Sequence, residues 1–389
     1  MKLSNRLSSF DGYLGTAMNI ILTKMKSEGR DVINLGLGDP DVQPPEHLRR
    51  TLAEACLDVN HHHYPSFYSP KPLKEAMVNW YRRRFGTVLD PETEVLALLG
   101  SAEGLFHIHS CMLDPGDLAL VPDPAYPAYA AGVAIAGGLA VKVPLLEENA
   151  YLPDLARIPE DVARRAKMIW VNYPNNPTSA DANLGFYQDL VTWAKKYDVA
   201  VIADNPYSEI CFGDFCPPSF LMAEGAKEVG IEFNSLSKAY NCCGWRIGMA
   251  LGNKEIIAGM NKIKSHSDRG IYYPIQIAAT AALNGPIDFM ESRNKMFTER
   301  RDVVVGALTK MGIRTASPKA TFYVWAPVPE GCGSSKEFCM NFLEKESVWM
   351  IPGSMYGQYG EGYFRIALTH PSDRLSEAMN RLARFLNRE

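Results

Sequence analysis

The sequence lacks any C-x-x-C pair. Its eight cysteines are scattered at Cys56, Cys111, Cys211, Cys216, Cys242, Cys243, Cys332 and Cys339. That spacing indicates neither a zinc site nor a disulfide framework, and a reducing cytoplasm is the simplest home. No apolar run reaches the roughly 18 residues needed to span a bilayer, so no membrane partner is expected. The opening Met1-Lys2-Leu3-Ser4-Asn5-Arg6 lacks the apolar core of a signal peptide. Excess charge of one sign is missing too: 40 Lys and Arg against 44 Asp and Glu leave a net charge of -4. Such a balance gives no basic footprint for nucleic acid. Asn34-Leu35-Gly36-Leu37-Gly38-Asp39-Pro40 lacks the third glycine of a dinucleotide loop, and Pro40, Pro44 and Pro45 stand where its helix would begin. No internal repeat or low-complexity segment is visible. What remains is ordinary globular usage, 47% apolar and 22% charged, over 389 residues. That length exceeds one small core and suggests two domains.

Short apolar runs alternate with helical patterns through the middle of the chain. Strands are expected at 95–99, 118–121, 168–172, 200–203, 232–235 and 249–251. Between two of them, Leu184, Leu190, Val191 and Ala194 recur at helical spacing over residues 184–197. This alternation predicts an α/β fold whose mostly parallel sheet is covered by helices on both faces. Such sheets bind ligands at the carboxyl ends of their strands. The chemically loaded residues fall there: Gly100-Ser101, Asn176, Asp204 and Lys238. After Pro286 the character changes, with a long charged helix pattern over 290–308, a strand at 321–325 and a Gly/Pro-rich stretch. We expect a large domain over residues 46–285. A smaller α+β domain then combines residues 1–45 with 286–389.

One stretch carries the most chemistry: Asn234-Ser235-Leu236-Ser237-Lys238-Ala239-Tyr240-Asn241-Cys242-Cys243-Gly244-Trp245-Arg246-Ile247-Gly248. A lysine can form a Schiff base with a carbonyl cofactor. Hydroxyls and an arginine suit a phosphate. Lys238 with Ser235, Ser237 and Arg246 therefore describes an anchor for pyridoxal 5′-phosphate. Read alone, Ser-x-Ser-Lys is equally a surface lysine in a Ser-rich loop. Leu99-Gly100-Ser101-Ala102-Glu103-Gly104 follows a candidate strand and opens a helix, whose first N–H groups attract anions. The Glu103 side chain repels a phosphate, so Glu103 enters only through its backbone. Pro122-Asp123-Pro124-Ala125-Tyr126 supplies a flat ring on a stiff loop. Asp204 ends an apolar strand, where a carboxylate beside a pyridine nitrogen keeps it protonated. Gly362-Tyr363-Phe364-Arg365-Ile366 carries an arginine able to grip a carboxylate bidentately.

At these residues the chain resembles the fold type I pyridoxal 5′-phosphate enzymes, specifically the class I/II aminotransferases, over nearly its whole length. The resemblance implies that Tyr126 stacks on the cofactor ring. It also implies that Tyr207 and Asn176 reach the 3′-oxygen, and that Gly38, Asn176 and Arg365 meet the substrate. Ser101, Ala102, Glu103, Ser235, Ser237 and Arg246 surround the phosphate. Tyr64, in His63-Tyr64-Pro65-Ser66-Phe67-Tyr68-Ser69, reaches the phosphate of a second subunit in a homodimer with shared sites. Lys238, Asp204 and Tyr207 are the implied catalytic group, acting on an amino acid and a 2-oxo acid. The donors suggested are LL-diaminopimelate, glutamate or alanine. Asp204-Asn205-Pro206-Tyr207-Ser208-Glu209 and Pro217-Pro218-Ser219-Phe220 look most like the LL-diaminopimelate aminotransferases and relatives. Two segments depart from that pattern: Cys242-Cys243, and Asp268-Arg269-Gly270-Ile271-Tyr272-Tyr273-Pro274. Three alternatives stay open. They are a lyase or carbon–carbon bond-forming enzyme on the same scaffold, a non-catalytic relative, and a nucleotide-dependent oxidoreductase resting on Gly36-x-Gly38. His61-His62-His63 has no spaced carboxylate or cysteine partner, so no metal is expected.

Overall fold

The structure is a computed structural model that describes residues 3–10, 14–66 and 69–387. Phe67 and Tyr68 lie outside the described residues. The chain forms β1 (Ile33–Asn34), β2 (Val95–Leu98), β3 (Leu118–Asp123), β4 (Leu139–Pro144), β5 (Ala166–Asn172) and β6 (Ala200–Asp204). It continues with β7 (Gly230–Ser235), β8 (Gly248–Gly252), β9 (Tyr323–Pro327), β10 (Val348–Trp349), β11 (Ile351–Pro352) and β12 (Tyr363–Ala367). Seven strands make the main sheet in the order β2-β8-β7-β6-β5-β3-β4. Only β8 runs against its neighbours.

Central strands read as unbroken apolar runs because both faces are covered. In β5, Met168 and Trp170 enter one core with Leu105, Ile108 and Val133, while Ile169 and Val171 enter the opposite core with Trp80, Tyr81 and Leu190. Successive side chains of a strand point to opposite faces, so each strand feeds both cores. The expected helix forms as Leu184–Tyr197, with Asn183 Oδ1 accepting from the Phe186 N–H at its start. Its buried Tyr187, Leu190, Val191 and Ala194 dock it on the sheet. Each large apolar side chain buried in this way contributes about 1.5–3 kcal/mol.

Two differences from expectation have local causes. β4 was not foreseen: it is one edge of the sheet, largely exposed, and its Lys142 and Pro144 break the apolar run. The strand expected at 321–325 begins two residues later, because Thr321 adopts φ +67° and cannot be extended. That strand, β9, joins β12 and β11 in a three-stranded antiparallel sheet. A further core packs here, joining Leu22, Ile33 and Leu35 to Phe297, Phe338, Phe342 and Leu375. It also includes Tyr207, Ile210 and Phe212, which bring the two sheets against each other around one cleft.

Candidate active site

The carboxyl ends of β2, β5, β6 and β7 lie along one edge of the main sheet, and β8 begins there. Beyond β2, Gly100 (φ +71°) turns the chain into the helix Ser101–Met112. A side chain on Gly100 would be strained by that φ and would push the Arg246 guanidinium aside, since its Cβ would lie 2.2 Å from it. Gly248 leaves no room, its Cβ falling 2.5 Å from Ser101 N. The arginine is thereby laid over the helix start, where the first N–H groups have no intrahelical partner. Arg246 itself holds φ +53°, an uncommon backbone for a non-glycine residue that often marks functional sites. Ser235 Oγ accepts from the Ser237 N–H at 3.2 Å, while the buried Ser237 Oγ has no partner among the described residues.

Glu103 departs from the cradle. Its N–H donates to Gly100 O at 3.3 Å. Its carboxylate turns back to accept from the Leu99 N–H (2.6 Å) and Lys264 Nζ (2.9 Å), with His107 Nδ1 at 3.0 Å. Burial opposes its ionisation, but His107 and Lys264 outweigh burial and hold the carboxyl below its usual range. Ser101 and Ala102 are left as the residues presenting the helix start. Lys264 also reaches Asp268 at 2.8 Å, and Asp268 accepts from the Gly270 N–H.

Asp204 ends β6 fully enclosed. Its Oδ2 accepts from Tyr129 OH at 2.6 Å, and its Oδ1 is buried with no partner among the described residues. Burial pushes the carboxyl up to about 7; the Tyr129 hydrogen bond counters this and Glu232 adds to it. A buried carboxylate with one empty acceptor fits a protonated pyridine N–H, and the cradle beside it fits a phosphate. The residues present therefore match pyridoxal 5′-phosphate. Tyr126 is half-buried, its ring edge-on to Tyr129 at 5.8 Å. Tyr129 stacks on Trp170 at 4.4 Å, and Trp170 Nε1 donates to His109 Nε2 at 3.2 Å.

Lys238 Nζ donates to Gly38 O at 2.6 Å and lies 3.4 Å from Cys243 Sγ. The glycine expected to meet substrate thus holds the lysine through its carbonyl. No helix follows Gly38 before Glu46, so the Gly36-x-Gly38 segment is not a nucleotide loop. The Lys238 backbone is anchored as well: Arg293 donates to the carbonyls of Lys238 (2.9 Å), Ala239 and Glu209. Arg293 is almost fully buried, and burial lowers it to about 10.

On β12, Arg365 Nη1 donates to Asn176 Oδ1 (2.7 Å) and Nη2 to Gly36 O (2.7 Å). Its guanidinium lies 3.9 Å from the Tyr323 ring centroid. Tyr207 OH and Tyr323 OH are 3.1 Å apart. Tyr64 is on the outside of this chain, 80% exposed, with the Arg269 guanidinium over its ring. The chain therefore gathers Lys238, Gly38, Asn176, Asp204, Tyr207, Arg246 and Arg365 around one cleft, and leaves Tyr64 facing outward. His61 and His62 cap the carbonyls of Ala55 and Cys56.

Sequence reading missed Tyr129, Arg293 and Tyr323. Tyr129 follows Tyr126 by three residues, a spacing that a strand–helix turn brings to one side. The other two gave no local signal.

The family model for class I and II aminotransferases matches residues 30–382. The LL-diaminopimelate aminotransferase of Desulforudis audaxviator is 48% identical over 385 residues, covering 99% of this chain and 98% of its own. That of Aquifex aeolicus is 46% identical over 381 residues, 98% of each. Among solved structures, BacF of Bacillus subtilis aligns with TM-score 0.96 at 36% identity, covering 99% of this chain and 98% of its own. The sheet and its helices are the fold type I aminotransferase architecture. The cofactor is pyridoxal 5′-phosphate and the reaction is transamination between an amino acid and a 2-oxo acid; nothing favours the lyase alternative. The chain belongs to the class I and II aminotransferases.

Proposed function

We propose that the chain takes its amino group from LL-diaminopimelate and passes it to a 2-oxo acid. The observation that carries this reading is the near-full-length identity, 48% and 46%, to relatives of that name. When bound, pyridoxal 5′-phosphate supplies an aldehyde for the amine and an electron-poor ring that accepts the Cα–H electrons. Lys238 Nζ, steered by Gly38 O at 2.6 Å, would be the group that holds the aldehyde. With substrate in place, the Lys238 amine would serve as the base for the Cα proton. Asp204 Oδ1 holds the proton on the ring nitrogen, and Tyr129 fixes the other carboxylate oxygen. Tyr207 and Asn176 Nδ2 donate to the ring oxygen, and Tyr126 covers the ring. Arg246, Ser101, Ala102, Ser235 and Ser237 hold the phosphate. Arg365 grips the substrate α-carboxylate, its fork braced by Asn176 and Gly36, so that the Cα–H bond stands across the ring.

We also propose a homodimer in which Tyr64 completes the neighbour's phosphate site. Leu57 and Val59 near it are 82% and 77% exposed, an apolar surface suited to burial against a second copy. The eight free thiols suit a cytoplasmic home.

The donor is tested on the holoenzyme by visible absorption while titrating LL-diaminopimelate, glutamate, alanine and aromatic amino acids. The expected result is conversion to the pyridoxamine spectrum at the lowest concentration with LL-diaminopimelate. A spectrum unmoved by LL-diaminopimelate but converted by another amino acid overturns this donor. Arg365→Ala is expected to lower kcat/KM for carboxylate donors roughly 100-fold, since about 3 kcal/mol of charged hydrogen bonding is lost. Arg365→Lys recovers only part, because an ammonium lacks the planar fork. An unchanged KM for every donor removes Arg365 from the clamp.

A further inference from the structure

Tyr323 touches three parts of the site at once. It opens β9, two residues from Trp325, which pairs with Arg365 across the small sheet. Its ring is the floor under the Arg365 guanidinium at 3.9 Å. Its hydroxyl meets Tyr207 OH at 3.1 Å, the two rings edge-to-face 5.6 Å apart. That hydroxyl also fills the space beside Gly38: a Cβ there would lie 2.1 Å from it. Gly38 is thus a glycine because Tyr323 approaches it, and the same Gly38 carbonyl holds Lys238.

The backbone of Tyr323 is fixed with unusual thoroughness. Its N–H donates to Thr321 Oγ1 at 3.1 Å and its carbonyl accepts from Ser179 Oγ at 2.8 Å. Thr321 Oγ1 in turn donates to Ser179 Oγ at 3.1 Å. Thr321 holds φ +67°, an outlier for a β-branched residue, and is fully buried. Strain of this kind persists only where the surroundings over-determine it. Here it serves to aim the Tyr323 ring.

We propose that Tyr323 is a positioning residue with two separable roles: its ring sets the plane of the Arg365 clamp, and its hydroxyl supports Tyr207 as a donor to the cofactor. This rests on the roles proposed above for Arg365 and Tyr207. The ring role follows from geometry. Nη1 binds Asn176 and Nη2 binds Gly36, and the Tyr323 face fixes the plane in which the fork lies. The hydroxyl role follows from proton count. Two phenols in contact share one hydrogen bond, so when Tyr207 donates to the cofactor, Tyr323 is the donor to Tyr207. A donor that itself accepts a hydrogen bond is a stronger donor.

Two variants separate the roles. Tyr323→Phe keeps the ring and removes the hydroxyl. The pH titration of the holoenzyme's visible absorption is expected to move up by about 0.5 unit, roughly threefold in proton affinity, because the ring oxygen loses donor strength. KM for amino donors stays within about twofold, since the ring is kept. Tyr323→Leu removes both, so the titration moves and KM rises about 10-fold or more. In the Arg365→Ala background, Tyr323→Leu adds little further to KM, because the clamp it orients is gone. Thermal melts check that both variants fold. A wild-type titration in Tyr323→Phe, or a wild-type KM in folded Tyr323→Leu, overturns the inference while leaving the clamp intact. An unchanged KM in Arg365→Ala overturns the clamp itself and the inference with it.

Discussion

Lys238→Ala is expected to reduce transamination by at least about 10⁴-fold, because in the role proposed above one side chain supplies both the cofactor's anchor and the base at Cα. The loss is chemical and leaves the fold in place. Lys238 projects from the short helix Leu236–Ala239, and its amine meets Gly38 O and Cys243 Sγ and lies over the Phe322 ring at 5.6 Å. The contacts that hold the segment are to backbone: Arg293 binds the carbonyls of Lys238 and Ala239 whatever the side chain is. The variant is therefore expected to melt close to wild type and to lose the visible band of a lysine-bound cofactor. Single-turnover mixing of the cofactor-loaded variant with an amino donor gives the decisive rate. Turnover near the wild-type value would falsify the assignment of Lys238.

Asp204→Asn has the next largest effect, and it acts in opposite directions on chemistry and stability. The amide keeps the shape and can still accept from Tyr129, but it cannot hold a proton on the ring nitrogen. A drop in kcat of about 10³-fold is expected from losing that charge stabilisation in an enclosed site. Without cofactor, the carboxyl of Asp204 sits at about 7 against its usual 3.8, chiefly through burial. A carboxyl whose folded-state value is raised binds its proton more tightly in the folded chain. Stability from this group is therefore full below about pH 4 and is lost as pH rises towards 7. Above that, the buried charge destabilises the cofactor-free protein by about 4 kcal/mol. Cofactor-free Asp204→Asn should melt higher than cofactor-free wild type at pH 8, and the gap should close towards pH 4. A gap that is constant with pH, or a variant with wild-type kcat, removes Asp204 from this role.

Much of this was legible in the sequence because central strands are covered on both faces. Runs such as Ile169-Trp170-Val171 and Val201-Ile202-Ala203 have no exposed face to carry polar residues. The edge strand β4 has one, and so escaped notice. Asp204 and Arg365 stood out because each carries charge within or at the end of an apolar stretch, and Lys238 because it stands among serines with Arg246 downstream. Tyr323, Arg293 and Tyr129 were not. Their partners Tyr207, Lys238 and Asp204 lie far off in the chain, so only folding reveals what they touch. Glu103 was legible as a carboxylate that a phosphate would repel. What it turns to, Lys264 and His107, was not.

The reversal of β8 has a consequence of its own. Ser235 at the end of β7 pairs with Gly248 at the start of β8, and the Leu236 N–H donates to Ile247 O at 3.3 Å. The segment between them is a loop closed at its base, carrying Lys238 on one limb and Arg246 on the other. On the roles proposed above, aldehyde anchor and phosphate grip are two points on a single rigid yoke. On those roles, a vitamer with its phosphate would engage both limbs, and one without it only the lysine limb.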